Sequence, residues 1–158
     1  MDQADGASDR QRVPGAILFM CAMNAIRSPM AEAIAKSLLP QVYIASAGVR
    51  RGDRDPFVDA VLEEIGLSLG KREPQTLEDL EDDYFDLVIT LSPEAHHQAL
   101  ELTRSSAVEV IYWPAADPSA VSGSREQVLS AYRDVRDSLE RMIRDRFLAR
   151  RPAPQGPG

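Results

Sequence analysis

Cys21 is the only cysteine of this 158-residue chain, and it stands shortly before Arg27 and Ser28 in the form Cys-x5-Arg-Ser. The apolar run Ala16–Met20 precedes it. A short apolar run that leads through a loop into a helix is typical of α/β proteins, whose loops at that place present N–H groups to anions. The same positive environment favours the thiolate form of a cysteine. The pattern therefore predicts a nucleophilic thiol beside an oxyanion site.

The residues between Cys21 and Arg27 can form a backbone cradle around a tetrahedral oxyanion. The residues predicted to bind phosphate are Ala22, Met23, Asn24, Ala25, Ile26, Arg27 and Ser28. The planar guanidinium of Arg27 can bind two phosphoryl oxygens at once, which a lysine cannot do with the same geometry. Cys21 would then lie beneath the phosphorus as the nucleophile. We expect Ser28 to donate its hydroxyl to the thiolate and Asn24 to hold the loop by hydrogen bonds.

The alternative interpretation is that Cys21 is an ordinary small buried residue and Arg27 a charged residue on a helix surface. An arginine followed by serine or threonine falls at this offset from a given cysteine with odds of roughly one in a hundred. A position between a strand and a proline-containing helix start lowers those odds further. We therefore favour the phosphate loop.

A second candidate residue, Asp117, precedes Pro118 in a loop of small residues after the last apolar run. Loops that follow the strands of an open α/β sheet meet at the edge where ligands bind. A carboxylic acid there can give a proton to the leaving oxygen of a phosphate ester. The alternative is an ordinary Asp-Pro turn. Asp117 is favoured as a general acid because its loop and Cys21 should meet at the same edge.

Apolar runs alternate with helical patterns along the chain. The predicted strands are Ala16 to Met20, Val42 to Ala45, Leu87 to Leu91 and Val108 to Tyr112. The predicted helix starts, each with its N-cap residue first, are Ser28-Pro29, Asp55-Pro56, Ser92-Pro93 and the capping box of Ser124 and Gln127. The last helical pattern continues through Phe147. Strands separated by helices imply right-handed crossovers and a parallel sheet covered on both faces, so we predict an α/β fold.

Composition limits the classes of protein to which this chain can belong. Its length predicts one domain over residues 13–149, and we expect the polar, proline- and glycine-rich segments 1–12 and 150–158 to be disordered. The formal charge of -7 argues against nucleic acid as a partner. One thiol and two histidines predict neither a disulfide nor a metal site, so we expect no cofactor. No apolar run suits a signal peptide or a membrane helix, and we expect a cytoplasmic protein without a membrane partner.

Several motifs of the chain resemble one known family. They are Phe19–Glu32, Ser46-Ala47-Gly48, Asp86–Thr90 and Asp117-Pro118. Together they resemble the low-molecular-weight protein tyrosine phosphatases, which are similar to the phosphatase-like arsenate reductases. The resemblance implies a single three-layer domain with a four-stranded parallel sheet and a phosphate loop after its first strand. It implies that Cys21 is the nucleophile, Arg27 the oxyanion ligand and Asp117 the general acid. The supporting residues that it implies are Ser28, Asn24 and Ser46.

The chain departs from the family pattern around the predicted site. Met23 stands where these phosphatases usually have a glycine, and Ile26 where they often have a second cysteine. The segments Ser119-Ala120 and Val49–Asp53 contain none of the aromatic residues that form the wall of a phosphotyrosine pocket. Around Lys71-Arg72, basic residues replace a histidine that supports the loop in many members.

We predict that the chain hydrolyses a phosphorylated protein or a small phosphomonoester in two steps, through a cysteinyl phosphate and without a metal. One alternative is a single-cysteine arsenate reductase that uses an external thiol or redoxin, since arsenate has the shape and charge of phosphate. An internal cascade of thiols is excluded because Cys21 has no second cysteine to react with. A second alternative is a non-catalytic anion-binding or interaction domain, which Met23 and the missing aromatic wall leave open.

Overall fold

The structure, a computed structural model, describes residues 13–81, 84–104 and 107–148. The predicted tails at 1–12 and 150–158 lie outside the described residues. The strands are β1 (Ala16–Cys21), β2 (Tyr43–Gly48), β3 (Leu87–Thr90) and β4 (Glu109–Tyr112). The helices are α1 (Arg27–Leu38), α2 (Pro56–Glu63), α3 (Pro93–Leu102) and α4 (Arg125–Ile143). Shorter helical segments are the 3-10 turns Leu77–Asp79 and Pro118–Ala120 and the π-helical segment Arg144–Leu148.

The four strands form one parallel sheet in the order β2-β1-β3-β4. The predicted α/β fold with a four-stranded parallel sheet is confirmed. β2 is longer than predicted and ends at Gly48, because Ala47 and Gly48 pair with Met20 and Cys21 of β1. The central strands β1 and β3 are buried throughout, as expected of strands covered on both faces. Since all strands run the same way, the loops after their carboxyl ends meet at one edge of the sheet.

Helices cover both faces of this sheet. α1, α2 and α4 pack on one face around side chains such as Phe19 and Ile89. α3 packs on the other face, where Ala95 and Ala99 lie in the same apolar cluster as Leu18. Neighbouring residues of β1 therefore point into opposite layers, and the strand is held from both sides. This packing fixes the position of Cys21 at the strand end.

Three of the four predicted helix starts are correct. Asp55, Ser92 and Ser124 each accept a backbone hydrogen bond at the first turn of α2, α3 and α4. The last helix differs from the prediction near its end. Its α-helical part stops at Ile143, and the segment through Phe147 is π-helical, although the Phe147 side chain is still buried.

The prediction that Ser28 is the N-cap of α1 is wrong. The helix begins at Arg27, and Ile26 occupies the N-cap position without a side-chain hydrogen bond to the helix. Oγ of Ser28 instead lies 2.9 Å from Sγ of Cys21. The hydroxyl that would cap the helix is therefore bound to the thiol. The N-cap residue Ile26 therefore satisfies none of the first-turn N–H groups, and the N–H of Ser28 lies 3.4 Å from Sγ of Cys21.

Candidate active site

The loop between β1 and α1 begins at Cys21, whose side chain is buried. A second segment of the chain, directly after β2, runs beside this loop. The N–H groups of Arg50 and Gly52 donate to the carbonyl oxygens of Ala22 and Met23 at 2.8 and 2.9 Å. These backbone hydrogen bonds hold one side of the loop independently of its side chains.

Two residues allow the loop to curl so closely against β2. A Cβ atom on Gly48 would lie 2.6 Å from the backbone N of Asn24 and 2.7 Å from the carbonyl carbon of Met23, so a larger residue would clash with backbone there. Asn24 adopts a positive φ of 53°, a conformation that asparagine tolerates better than most residues. The left-handed residue reverses the direction of the chain in the middle of the loop.

The predicted nucleophile and its predicted supports form one buried cluster. Sγ of Cys21 lies 2.9 Å from Oγ and 3.4 Å from the backbone N of Ser28. Nδ2 of Asn24 donates to Oγ of Ser28 and to Oγ of Ser46, both at 2.9 Å. Cys21 is thus joined to its predicted supports by hydrogen bonds that pass through Ser28 and Asn24 to Ser46.

Two residues that the sequence did not predict bind the other end of the Asn24 amide. Oδ1 of Asn24 accepts a hydrogen bond from Nη2 of Arg72 at 2.7 Å and another from the backbone N of Gln75 at 2.9 Å. Both donors come from the segment between α2 and β3. Arg72 lies where the resemblance places a supporting histidine, but the sequence alone does not indicate where a basic side chain there points.

Glu32 of α1 is a carboxylate buried in the same cluster, and it too was not predicted. Its Oε1 accepts a hydrogen bond from Oγ of Ser46 at 2.5 Å and lies 3.3 Å from Nε of Arg72. Its Oε2 lies 2.8 Å from Nζ of Lys36. A buried charge is stable only when it is paired. The signal in the sequence is that Glu32 stands among small and apolar residues of α1, where a charge needs a partner.

A pocket of about 230 Å³ opens at Cys21 and brings the two predicted segments together. Its lining residues are Cys21, Ala22, Met23, Ala25, Ile26, Arg27, Arg50, Asp117 and Ser119. Of the predicted phosphate-binding residues, only Asn24 and Ser28 are absent from the lining, because they lie in the buried cluster. Arg50 and Ser119 were not predicted. Over the described ranges, no aromatic side chain lines this pocket.

Arg27 connects the loop between β1 and α1 to the segment that contains Asp117, since its Nη1 donates to the carbonyl of Ala115 at 3.0 Å. Oδ1 of Asp117 accepts hydrogen bonds from Oγ and the backbone N of Ser119 at 2.7 and 3.0 Å. Burial raises the pKa of Asp117, but the two hydrogen bonds from Ser119 and the charge of Arg27 outweigh it, and the pKa lies below its usual range. Asp117 is therefore a carboxylate at neutral pH.

Other parts of the described structure contain fewer groups that could bind a ligand or react with it. A hollow of about 580 Å³ on the α3 face is lined mainly by apolar side chains such as Leu18 and Met20. Its carboxylate, Asp86, already accepts hydrogen bonds from Tyr84 and from the N–H of Ala16. Among the described residues, no group of three or more His, Cys, Asp or Glu side chains could hold a metal ion. No helix within the described ranges is long and apolar enough to cross a membrane.

Known proteins are similar to this chain over most of its length. Residues 16–150 match the sequence profile of the family described as low molecular weight phosphotyrosine protein phosphatase. The chain belongs to this family. The predicted resemblance is thus confirmed.

Relatives within the low-molecular-weight phosphatase family have different names. An arsenate reductase of Halalkalibacterium halodurans is 29% identical over 129 residues, which cover 81% of this chain and 91% of that protein. A glutaredoxin arsenate reductase of Synechocystis sp. is 27% identical over 128 residues, covering 80% of this chain and 92% of that protein. Among solved structures, a tyrosine phosphatase of Erwinia amylovora has a TM-score of 0.68 at 25% identity, covering 84% of this chain and 90% of that chain.

Proposed function

We propose that this member of the low-molecular-weight phosphatase family hydrolyses phosphomonoesters through a phosphorylated Cys21. The main support is that one pocket is lined by Cys21, Arg27 and Asp117. Their thiol, guanidinium and carboxyl groups are the nucleophile, oxyanion ligand and proton donor that a phosphoryl transfer to cysteine needs.

In the first step, the Cys21 thiolate attacks the phosphorus in line, and the bond between phosphorus and the leaving oxygen breaks. Asp117, in its protonated form, gives its proton to that oxygen, which would otherwise leave as an alkoxide or phenoxide. Arg27 exchanges the carbonyl of Ala115 for two phosphoryl oxygens and stabilises the charge of the transition state.

In the second step, the ionised Asp117 takes a proton from a water molecule that attacks the phosphorus. The bond between sulfur and phosphorus breaks, inorganic phosphate leaves, and the thiolate of Cys21 is restored. The lowered pKa of Asp117 suits this second role, while the first step needs the protonated form and is favoured by acidic conditions.

For the substrate, we propose a small phosphomonoester or a phosphoryl group on a protein side chain. The pocket of about 230 Å³ offers no aromatic wall within the described residues, so little binding energy would come from ring stacking. Arg50 stands at this pocket and forms an ion pair with Glu94. The binding energy would therefore come mainly from the phosphoryl group.

The test of this function is to trap the intermediate. Wild-type protein is mixed with p-nitrophenyl phosphate, quenched in denaturant at short times and measured by mass spectrometry, and phosphate release is followed in parallel. We expect a phosphoryl group on Cys21 that forms before phosphate release reaches its steady rate. Release of phosphate with no phosphorylated Cys21 at any time would contradict the proposal. A panel of phosphotyrosine, phosphoserine and small phosphomonoesters then ranks the substrates.

Arsenate reduction is the second candidate function, favoured by the names of the two relatives. Arsenate would condense with the thiolate of Cys21 and lose water. An external thiol would attack the Cys21 sulfur, so that the arsenic–sulfur bond breaks, its electron pair stays on arsenic, and arsenite leaves. A second external thiol would then release Cys21 by forming a disulfide with the first, because the chain has no other cysteine.

The two candidate functions give different products. Arsenate-dependent oxidation of glutathione or glutaredoxin, with arsenite formed and no phosphate released from p-nitrophenyl phosphate, would replace the phosphatase proposal with the reductase. Phosphate release without arsenite formation would support the phosphatase. Each assay is run beside a Cys21→Ser control to exclude contaminating activity.

We expect Arg27→Lys to lower kcat/KM for aryl phosphates by roughly 100-fold, although the positive charge is retained. An ammonium group cannot bind two phosphoryl oxygens in the geometry of the guanidinium fork. The measurement is kcat/KM of the purified variant. Arg51→Lys is the matched control, because Arg51 is exposed, pairs with Asp79 and does not line the pocket. Equal losses in the two variants would show that the guanidinium fork has no special role.

We expect Ser119→Ala to extend activity to higher pH. The Ser119 hydroxyl is one of the groups that lower the pKa of Asp117, so its removal raises that pKa, although the backbone N–H remains. Since the first step needs protonated Asp117, the decline of kcat/KM with rising pH should move to higher pH. The check is a pH–rate profile with a poor leaving group such as phenyl phosphate. Ser122→Ala, at an exposed serine nearby, is the control and should leave the profile in place.

A further inference from the structure

Arg72 is a guanidinium beneath the phosphate loop that takes no part in the two proposed steps. Its side chain is only 18% exposed. Its Nη2 donates to Oδ1 of Asn24 at 2.7 Å and to Oγ of Ser46 at 3.2 Å, and its Nε lies 3.3 Å from Oε1 of Glu32. Nη1 of Arg54 donates to the backbone carbonyl of Arg72 at 2.9 Å. Both the backbone and the side chain of Arg72 are therefore held in place.

The donors around Asn24 determine which way its side-chain amide points. An amide oxygen can only accept hydrogen bonds, and an amide nitrogen can only donate them. Arg72 and Gln75 present N–H groups on one side, so Oδ1 of Asn24 faces them. Nδ2 consequently faces the hydroxyls of Ser28 and Ser46. A reversed amide would place its NH2 group against the N–H groups of Arg72 and Gln75.

The orientation of this amide determines the direction of the hydrogen bond at Cys21. Oγ of Ser28 accepts the N–H of Asn24 at 2.9 Å. A hydroxyl has one proton, and this proton is then free to point at Sγ of Cys21, which is 2.9 Å away. A hydrogen bond donated to a thiolate stabilises the charged form. One direction of donation therefore runs from Arg72 through Asn24 and Ser28 to the sulfur.

We propose that Arg72 is a positioning residue that fixes the Asn24 amide and thereby directs the Ser28 hydroxyl proton to the Cys21 thiolate, with Glu32 as its buried counter-ion. The proposal rests on the proposed role of Cys21 as nucleophile. The Glu32 side chain is 7% exposed, so its charge strongly favours a cation beside it. The N–H of Gln75 still donates to Asn24 when Arg72 is replaced. We therefore expect removal of Arg72 to reduce the stabilisation of the Cys21 thiolate without abolishing it.

The test compares Arg72→Met with Lys36→Met. Each variant removes one cation that contacts Glu32, but only Arg72→Met removes a contact with Asn24. The first readout is the alkylation rate of Cys21 by iodoacetamide, which reacts with the thiolate. We expect Arg72→Met to react roughly tenfold more slowly than wild type at about pH 6, and equally fast at high pH, where every thiol is ionised. Lys36→Met should match wild type.

The second readout is kcat/KM for p-nitrophenyl phosphate across pH, which reports ionisation of groups in the free enzyme. We expect the rise of kcat/KM with pH to move to higher pH in Arg72→Met and to stay in place in Lys36→Met. Equal alkylation rates at about pH 6 in wild type and folded Arg72→Met would overturn the role of Arg72. A wild-type thiol that reacts only above about pH 8, as free cysteine does, would instead overturn the nucleophile itself. The two failures are therefore distinguishable.

A second variant tests the guanidinium directly, and it also serves if Arg72→Met does not fold. Arg72→Ala opens a space of the right shape beside Glu32, Asn24 and Ser46. We expect guanidinium ion at non-denaturing concentration to restore the alkylation rate at low pH severalfold, while tetramethylammonium at the same concentration does not. No recovery with guanidinium, or equal recovery with both ions, would contradict the proposal. Thermal unfolding of each variant shows that the measured molecules are folded.

Discussion

Cys21→Ser is expected to lower phosphate release from aryl phosphates by about 10⁴-fold or more. A serine hydroxyl stays protonated at neutral pH, so it attacks phosphorus only if a general base removes its proton. The described polar contacts at this position are the hydroxyl and the N–H of Ser28, and neither is a base. The measurement is phosphate release from p-nitrophenyl phosphate and from alkyl phosphates, compared with wild type.

The control for Cys21→Ser is anion binding. Because serine is nearly the same size as cysteine, the loop and Arg27 should still bind phosphate or vanadate, which calorimetry can measure. Retained binding with lost turnover would assign the loss to the nucleophile. If wild type and variant were equally slow on every phosphate, the phosphatase proposal would fail. If the wild type also formed no arsenite from arsenate, the protein would be the non-catalytic anion-binding domain.

Asp117→Asn is expected to lower kcat/KM by roughly 100- to 1000-fold for phenyl phosphate and by much less for p-nitrophenyl phosphate. An asparagine cannot give a proton to the leaving oxygen, and a poor leaving group needs that proton most. The pH profile should change as well. The fall in activity as pH rises through the pKa of Asp117 should disappear in the variant.

The comparison of leaving groups separates proton donation from a general structural effect. Asp53→Asn is a matched control, since Asp53 is exposed and does not line the pocket. It should behave as wild type with both substrates. A loss in Asp117→Asn that is equal for the good and the poor leaving group would show that Asp117 is not the acid.

The fold was predictable because its signals are local. Each strand is a short apolar run, and Asp55, Ser92 and Ser124 are residues whose side chains cap helices in any sequence context. Ser28 has the same local signal, but its hydroxyl is bound to the thiol of Cys21. A serine before a proline cannot reveal which of these two partners it has, so this start was predicted wrongly.

The positions of the candidate site residues were predictable only where these residues are contiguous or follow a strand. The loop predicted to bind phosphate is one segment, and Asp117 follows the last strand, so topology places both at one edge of the sheet. Arg72 reaches Asn24 and Glu32 across a long separation in sequence, through a segment without regular structure. No periodicity or capping pattern fixes the direction of such a side chain. Its partners emerge only when the chain is folded.

Cys21 is the only sulfhydryl of the chain and lies in the pocket of about 230 Å³. Any thiol reagent that labels the folded protein therefore labels Cys21. The labelling stoichiometry gives the fraction of molecules in which Cys21 is reactive, because no other thiol contributes to the signal. Because no second cysteine can close a disulfide within the chain, reversible oxidation leads to mixed disulfides with external thiols. The mass added to the intact chain then identifies the small thiol that is bound to Cys21 in each preparation.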